Sequence, residues 1–171
     1  MVGCCVLFVI MLAACIANNM RINITPSYPL GLYQQQQIQD PAACKGQLVL
    51  VCPDRGNPVI RKAVELKILP PGTDHSPWRH VPLMKMLVGT PGDKVTVTDQ
   101  GISINDHRLK NSKIKFEVFE LLIHPGYNHT LRSNEYWVMS NYNPNSLDSR
   151  YIGPVSGSQI KQRVKPIITI K

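Results

Sequence analysis

A chain of 171 residues is long enough for one domain with a real core once its N-terminal segment is set aside. With 43% hydrophobic and 18% charged residues it is not a disordered protein, and fourteen prolines favour turns and short strands over long helices. The net charge of +8 raises the question of nucleic acid, but no recognition-helix, zinc-finger or aromatic-basic RNA motif accompanies it. A solvated basic face and an acidic membrane surface are the readings left.

In chain order, residues 1–20 come first as a membrane anchor or signal segment. Val2 to Ala17 is an uncharged apolar run of sixteen residues. At ~1.5 Å per residue it spans ~24 Å, slightly short of a ~30 Å hydrocarbon core. An uncleaved anchor is the first reading. A lipoprotein acylated at Cys15 of Leu12-Ala13-Ala14-Cys15 is the second, and a cleaved secretory signal, lacking the usual basic start, is the third. Each puts the remainder, residues 21–171, at or beyond a membrane.

Gln34 to Gln37 reads as a polar loop. Cys44 and Cys52 are the cysteines outside the apolar run, and an oxidising compartment would permit a disulfide between them. Gln47 to Cys52 reads as a buried strand stopped by Pro53. Asn57-Pro58 opens a short helix through Ile68, with Val59, Ile60, Ala63, Val64 and Ile68 on one face and Pro70-Pro71-Gly72 ending it. Thr73 to His80 looks like a loop, and Val81 to Val88 a strand. Lys94 to Thr98 and Gly101 to Ile104 form a hairpin across Asp99-Gln100. Further strands are expected around Phe116 to Ile123, Tyr136 to Ser140 and Val164 to Ile170. The body is mainly β. No Cys/His spacing suggests zinc, the histidines read as surface or loop residues, and no metal or organic cofactor is expected.

Chemistry concentrates in three separated segments. They are Thr25-Pro26-Ser27-Tyr28-Pro29-Leu30-Gly31-Leu32-Tyr33, Lys85-Met86-Leu87-Val88-Gly89-Thr90-Pro91-Gly92-Asp93, and Ser146-Leu147-Asp148-Ser149-Arg150. A serine hydroxyl is a poor nucleophile until a base takes its proton. No histidine stands in a triad setting, whereas a Ser-Lys dyad needs one amine, neutral and therefore desolvated. Lys85 interrupts an apolar strand on the face of Leu83 and Leu87. Such a lysine is either snorkelling at an edge or functionally buried. Periodicity alone favours snorkelling; the Pro-Gly-Asp turn that follows favours the base. Prolines on both sides of Ser27 fix the local backbone, as suits a pre-positioned nucleophile.

Together the segments resemble the type I signal peptidases and, within them, the TraF-type peptidases of conjugative transfer systems. The second matches the family's K-x-x-x-G-x-P-G-D lysine box and the third its S-x-D-S-R box. The first departs from the housekeeping S-M-x-P form and fits the S-x-P-x-G-x-Y spacing of the conjugation branch. The resemblance implies a signal-peptidase-like antiparallel β domain with Ser27 as nucleophile and Lys85 as general base. It also implies Thr25 as a side-chain oxyanion donor, Ser146 as the serine that orients the lysine, and Asp148 with Arg150 as a supporting ion pair. Ser140 to Pro144 depart from the housekeeping Gly-Asp-Asn start, Met86 replaces the usual arginine, and the stretch around Asp74-His75 lacks the cysteine many conjugation relatives carry.

The expected activity is cleavage of an exported precursor, a conjugative pilin precursor first, with cyclisation of the product open. The expected setting is a bacterial inner membrane, with the catalytic domain on the periplasmic side. A housekeeping signal peptidase is the nearest alternative. A non-enzymatic periplasmic lipoprotein of a secretion apparatus is the alternative of another class. Nucleic acid is not an expected partner.

Overall fold

The computed structural model describes residues 19–69, 82–115 and 123–170. The apolar run before Asn18, the loop expected at 73–80 and most of the strand expected at Phe116 to Ile123 lie outside the described residues. Among the described residues no helix is long and apolar enough to cross a membrane.

The strands are β1 (Met20–Asn23), β2 (Leu30–Gln37), β3 (Leu48–Val51), β4 (Leu83–Gly89), β5 (Lys94–Thr98), β6 (Gly101–Ile104), β7 (His107–Arg108), β8 (Asn128–Thr130), β9 (Glu135–Met139), β10 (Val155–Ser156) and β11 (Ile160–Ile170). Among the described residues two short α-helices accompany them, α1 (Pro58–Glu65) and α2 (Ser149–Ile152). One sheet has the order β1-β2-β11-β3-β4-β9-β10 and the other β7-β6-β5-β8, with antiparallel pairing throughout. The expected mainly β architecture is therefore observed.

β9 joins the two layers because its side chains alternate. Tyr136 and Val138 enter the core of the larger sheet with Val49, Val51, Leu83 and Leu87, while Trp137 enters the core of the smaller one with Val95, Val97, Ile102 and Ile104. Gly89 lies opposite Trp137 in the β4–β9 pair, and a Cβ there would meet Trp137 Cβ and Leu131 Cδ1 at 2.9 Å. The glycine of the lysine box is thus required by the closeness of two strands.

The hairpin across Asp99-Gln100 is present, with Thr98 paired to Gly101. Asn105 and Asp106, both at positive φ, make the next tight turn between β6 and β7.

Several boundaries and one assignment differ from the sequence reading. Gln34 to Gln37 is not a loop but the second half of β2, paired to β11 from Gln34↔Lys165 to Gln37↔Gln162. Backbone ladders on a central strand override the weak strand preference of glutamine. α1 starts as expected, with Asn57 Oδ1 accepting from the Val59 and Ile60 amides. It stops at Glu65 rather than Ile68, because Lys67 turns to φ 57° and the Ile68 amide bonds back to the Ala63 carbonyl. Val59, Ile60 and Ala63 are buried as expected, but Val64 and Ile68 fall on the exposed side. Cys44 and Cys52 are buried free thiols, so the disulfide allowed by the sequence is not formed here.

Candidate active site

The segment 24–29 connects β1 to β2 and is fixed from within and from outside. The buried Asn23 closes it from within. Its Nδ2 donates to the carbonyls of Thr25, Tyr28 and Pro29 at 3.0–3.1 Å, and its Oδ1 accepts from the Thr25 amide and hydroxyl. The stretch after β9 clamps it from outside. Ser140 Oγ donates to the Ser27 carbonyl at 2.7 Å, Asn143 Nδ2 to the Pro26 carbonyl at 3.1 Å, and Tyr28 Oη to the Met139 carbonyl and Asn141 Oδ1. Burial pushes the Tyr28 phenol up to about 12, so it stays a donor.

Gly31 accounts for the glycine of the first box. It sits at φ 149°, opposite Thr169 of β11, where a Cβ would come within 2.1 Å of the Ile168 carbonyl oxygen. The tyrosine of that box, Tyr33, is buried and donates to the Pro29 carbonyl at 2.8 Å. Gly31 therefore lets β2 approach β11, and Tyr33 ties the end of the serine loop to β2.

Lys85 stands in β4 between Val49 of β3 and the β9 side of the sheet. It is 1% exposed, so it is not snorkelling. Its Nζ lies 2.8 Å from Ser27 Oγ and 2.7 Å from Ser146 Oγ, and the two hydroxyl oxygens are 3.3 Å apart. Loss of solvent lowers the Lys85 ammonium to about 8, with Asp148 opposing the shift and Arg150 adding to it. A neutral amine here has one lone pair for the Ser27 proton and two N–H bonds, one of which serves Ser146.

The turn after Lys85 holds β4 in place. Pro91-Gly92 occupies its centre with Gly92 at φ 89°, and the Asp93 amide bonds to the Thr90 carbonyl. The Asp93 carboxylate accepts from Lys45 Nζ at 2.6 Å, from the Thr90 amide and hydroxyl, and from Asn105 Nδ2 at 2.7 Å. Burial works against its ionisation, but the bonds from Lys45, Thr90 and Asn105 prevail and hold it at about 2.

Asp148 and Arg150 form a fully buried, two-pronged ion pair, with Nε and Nη2 each 2.8 Å from a carboxylate oxygen. The remaining Arg150 donors reach the carbonyls of Asn111, Asn143, Pro144 and Ser146. Asp148 also accepts from the Ser140 amide at 2.9 Å. One pair thus folds the stretch 140–148 so that Ser140 meets the Ser27 backbone while Ser146 meets Lys85. Burial disfavours the Arg150 charge, but Asp148 outweighs it and raises its affinity for a proton.

The structure therefore brings together Ser27, Lys85, Ser146, Asp148 and Arg150 from three distant segments. Thr25 stands beside them, its hydroxyl hydrogen directed to Asn23 Oδ1 at 2.8 Å. Sequence reasoning missed Asn23, Ser140 and Asn143. They act on backbone atoms of the serine loop, and nothing in their spacing marks them. Among the described residues no group of three or more His, Cys, Asp or Glu is placed to hold a metal ion.

Residues 1–169 match the family described as signal peptidase, peptidase S26. The chain belongs to the S26 signal peptidase family. Similar proteins include a plasmid transfer protein TraF of Escherichia coli, 31% identical over 156 residues that cover 90% of this chain and 84% of the relative. A conjugal transfer protein TraF of Agrobacterium tumefaciens (strain 15955) is 30% identical over 158 residues, 92% of this chain and 86% of the relative. A crystal structure of a signal peptidase I from Enterococcus faecalis V583 superposes with a TM-score of 0.43 at 18% identity, over 75% of this chain and 99% of that one. The likeness to the TraF proteins marks this S26 member as TraF-type, and family membership makes it a serine peptidase.

Proposed function

We propose that this chain is a membrane-associated endopeptidase that cleaves an exported precursor, a conjugative pilin precursor first, with a Ser27-Lys85 dyad. One observation carries the reading: a buried amine, lowered to about 8, lies 2.8 Å from the hydroxyl of a serine held by its own backbone. The similarity to transfer proteins named TraF favours a conjugation substrate.

In the proposed sequence, neutral Lys85 takes the Ser27 proton as Oγ attacks the scissile carbonyl. The tetrahedral oxyanion is met by the Ser27 backbone N–H, and by Thr25 once its hydroxyl turns away from Asn23. The Lys85 ammonium then protonates the leaving amine, and the acyl group stays on Ser27. Water resolves it to a linear product, or the precursor's own amino group resolves it to a ring. Ser146 keeps the amine aimed at Ser27 in both steps.

Ile22, Ile24, Leu30, Ile167, Ile168 and Ile170 are exposed at the β1–β2–β11 end that carries the serine loop. That apolar edge supports a membrane setting, with the apolar run at 2–17 as anchor and the catalytic domain on the periplasmic side of the inner membrane.

The test offers purified protein a pilin precursor and an unrelated secretory precursor. Cleavage of the pilin alone is expected, with turnover lowered at least about a thousandfold in Ser27→Ala and in Lys85→Ala. Equal cleavage of both precursors refutes the conjugation assignment, and undiminished turnover in the variants refutes the dyad. Mass spectrometry separates the two resolutions, since a ring is one water lighter than its linear counterpart.

A further inference from the structure

A basic groove adjoins the loop that carries Ser146. It encloses about 500 Å³ and is lined by Arg108, Lys110, Lys113 and Lys115, together with Gln100, Asn111 and Pro144. None of its lining residues is acidic. Its wall is built rather than incidental. The buried Ser112 hydroxyl accepts from the Ile102 amide at 2.9 Å and donates to the Leu109 carbonyl at 2.7 Å, pinning the stretch 109–113 onto β6. Gly101 leaves room for that hydroxyl, which a Cβ would approach to 2.4 Å.

The groove shares atoms with the site. Asn111 Nδ2 donates to the Asn141 carbonyl at 2.9 Å, and the Asn111 and Pro144 carbonyls both accept from Arg150 Nη1. Ser146, two residues beyond Pro144, contacts Lys85.

We propose that this groove binds an acidic segment of the precursor and so selects substrates carrying carboxylates near the cleaved bond. The occupant as a precursor rests on the peptidase reading; the anion preference does not. Four cations facing one concavity attract side-chain carboxylates along an extended peptide. A flat lipid surface is a poorer fit to a concave site, and the exposed isoleucines belong to the other sheet. A single-stranded nucleic acid would want aromatic stacking surfaces, and no aromatic residue lines the groove.

The experiment measures fluorescence anisotropy of a labelled glutamate-rich peptide and of its glutamine counterpart with Ser27→Ala protein, so that binding is read apart from cleavage. The glutamate peptide is expected to bind, more weakly as salt rises. The Lys110→Glu/Lys113→Glu variant should weaken that binding by about tenfold or more. The Arg55→Glu/Arg61→Glu control, away from the groove, should leave it unchanged, and both variants should keep the parental circular dichroism. Equal affinity for both peptides, or equal effects of the two double variants, overturns the proposal. So does loss of phosphatidylglycerol-vesicle or single-stranded DNA binding in the groove variant with peptide binding intact. With Ser27 restored, the groove variant should raise KM for a glutamate-bearing precursor peptide and leave kcat unchanged. If the peptide binds as expected but no precursor is cleaved, the anion site stands and the peptidase reading falls.

Discussion

Lys85 carries opposed demands. Its charge is disfavoured in the fold, since burial moves the amine from 10.5 to about 8. The unfolded chain therefore holds more protons than the native one between pH 8 and about 10.5, and Lys85's contribution to stability improves as pH rises through that window. Below pH 8 the cost of the buried charge is fully present. Cleavage should follow the neutral form, rising with pH to a plateau with its midpoint near 8; a profile flat from pH 6 to 10 excludes Lys85 as base. Lys85→Met keeps the stem and removes the charge, so it should abolish cleavage while unfolding at least as high in temperature as the parent at pH 7. The difference between them should shrink as pH approaches 10. Asp148 opposes the lowering of Lys85, so Asp148→Asn should move the rate profile to lower pH in whatever fraction folds. The same substitution breaks a buried ion pair and should cost about 3–5 kcal/mol, read by urea unfolding.

Strands and turns explain why these side chains meet. Gly31 and Gly89 each stand where a Cβ would strike a neighbouring strand or its side chains, β11 in one case and β9 in the other. Gly31→Ala is the stricter test, because the obstacle is backbone and φ is positive. It should lower the thermal midpoint by several degrees and cut cleavage by loosening the Ser27 loop, whereas Gly46→Ala, in open space but also at positive φ, should cost about 1 kcal/mol and spare cleavage. These glycines, together with Pro91-Gly92, show how the spacing of the first two boxes encodes backbone geometry around Ser27 and Lys85. That much was legible in the sequence, as were α1's start and the β5–β6 hairpin. What was not legible depended on partners far along the chain. Gln34 to Gln37 look like a loop until β11 pairs with them. Periodicity alone makes Lys85 an edge lysine; the turn and box that follow it point to the buried position, and the flanking of β4 by β3 and β9 is what encloses it. Asn23, Ser140 and Asn143 act on carbonyls, which any sequence possesses, so their residue types gave no cue.

The two sheets are coupled through identifiable side chains. Ile114 packs against both cores, Trp137 of β9 enters the smaller one, and Asp93 ties Lys45 beside the large sheet to Asn105 in the small one. Asp93 is lowered from 3.8 to about 2, so its share of stability is complete above pH 3.8 and is lost as pH falls through 2. Asp93→Asn should cost about 2–3 kcal/mol at neutral pH and flatten the acid limb of the stability curve, measured by urea unfolding from pH 2 to 5.

The order β1-β2-β11-β3 carries a further consequence for biosynthesis. β2 supports the serine and β3 borders the lysine strand, yet the strand inserted between them is made after every other described strand. Until β11 is in place, β1-β2 and β3-β4 are separate pieces of sheet with a gap the width of one strand between them, bridged by the loop contacts from the stretch after β9. The ladder that sets the Ser27 strand pair beside the Lys85 strand pair is in this way closed by the latest-made of the described strands.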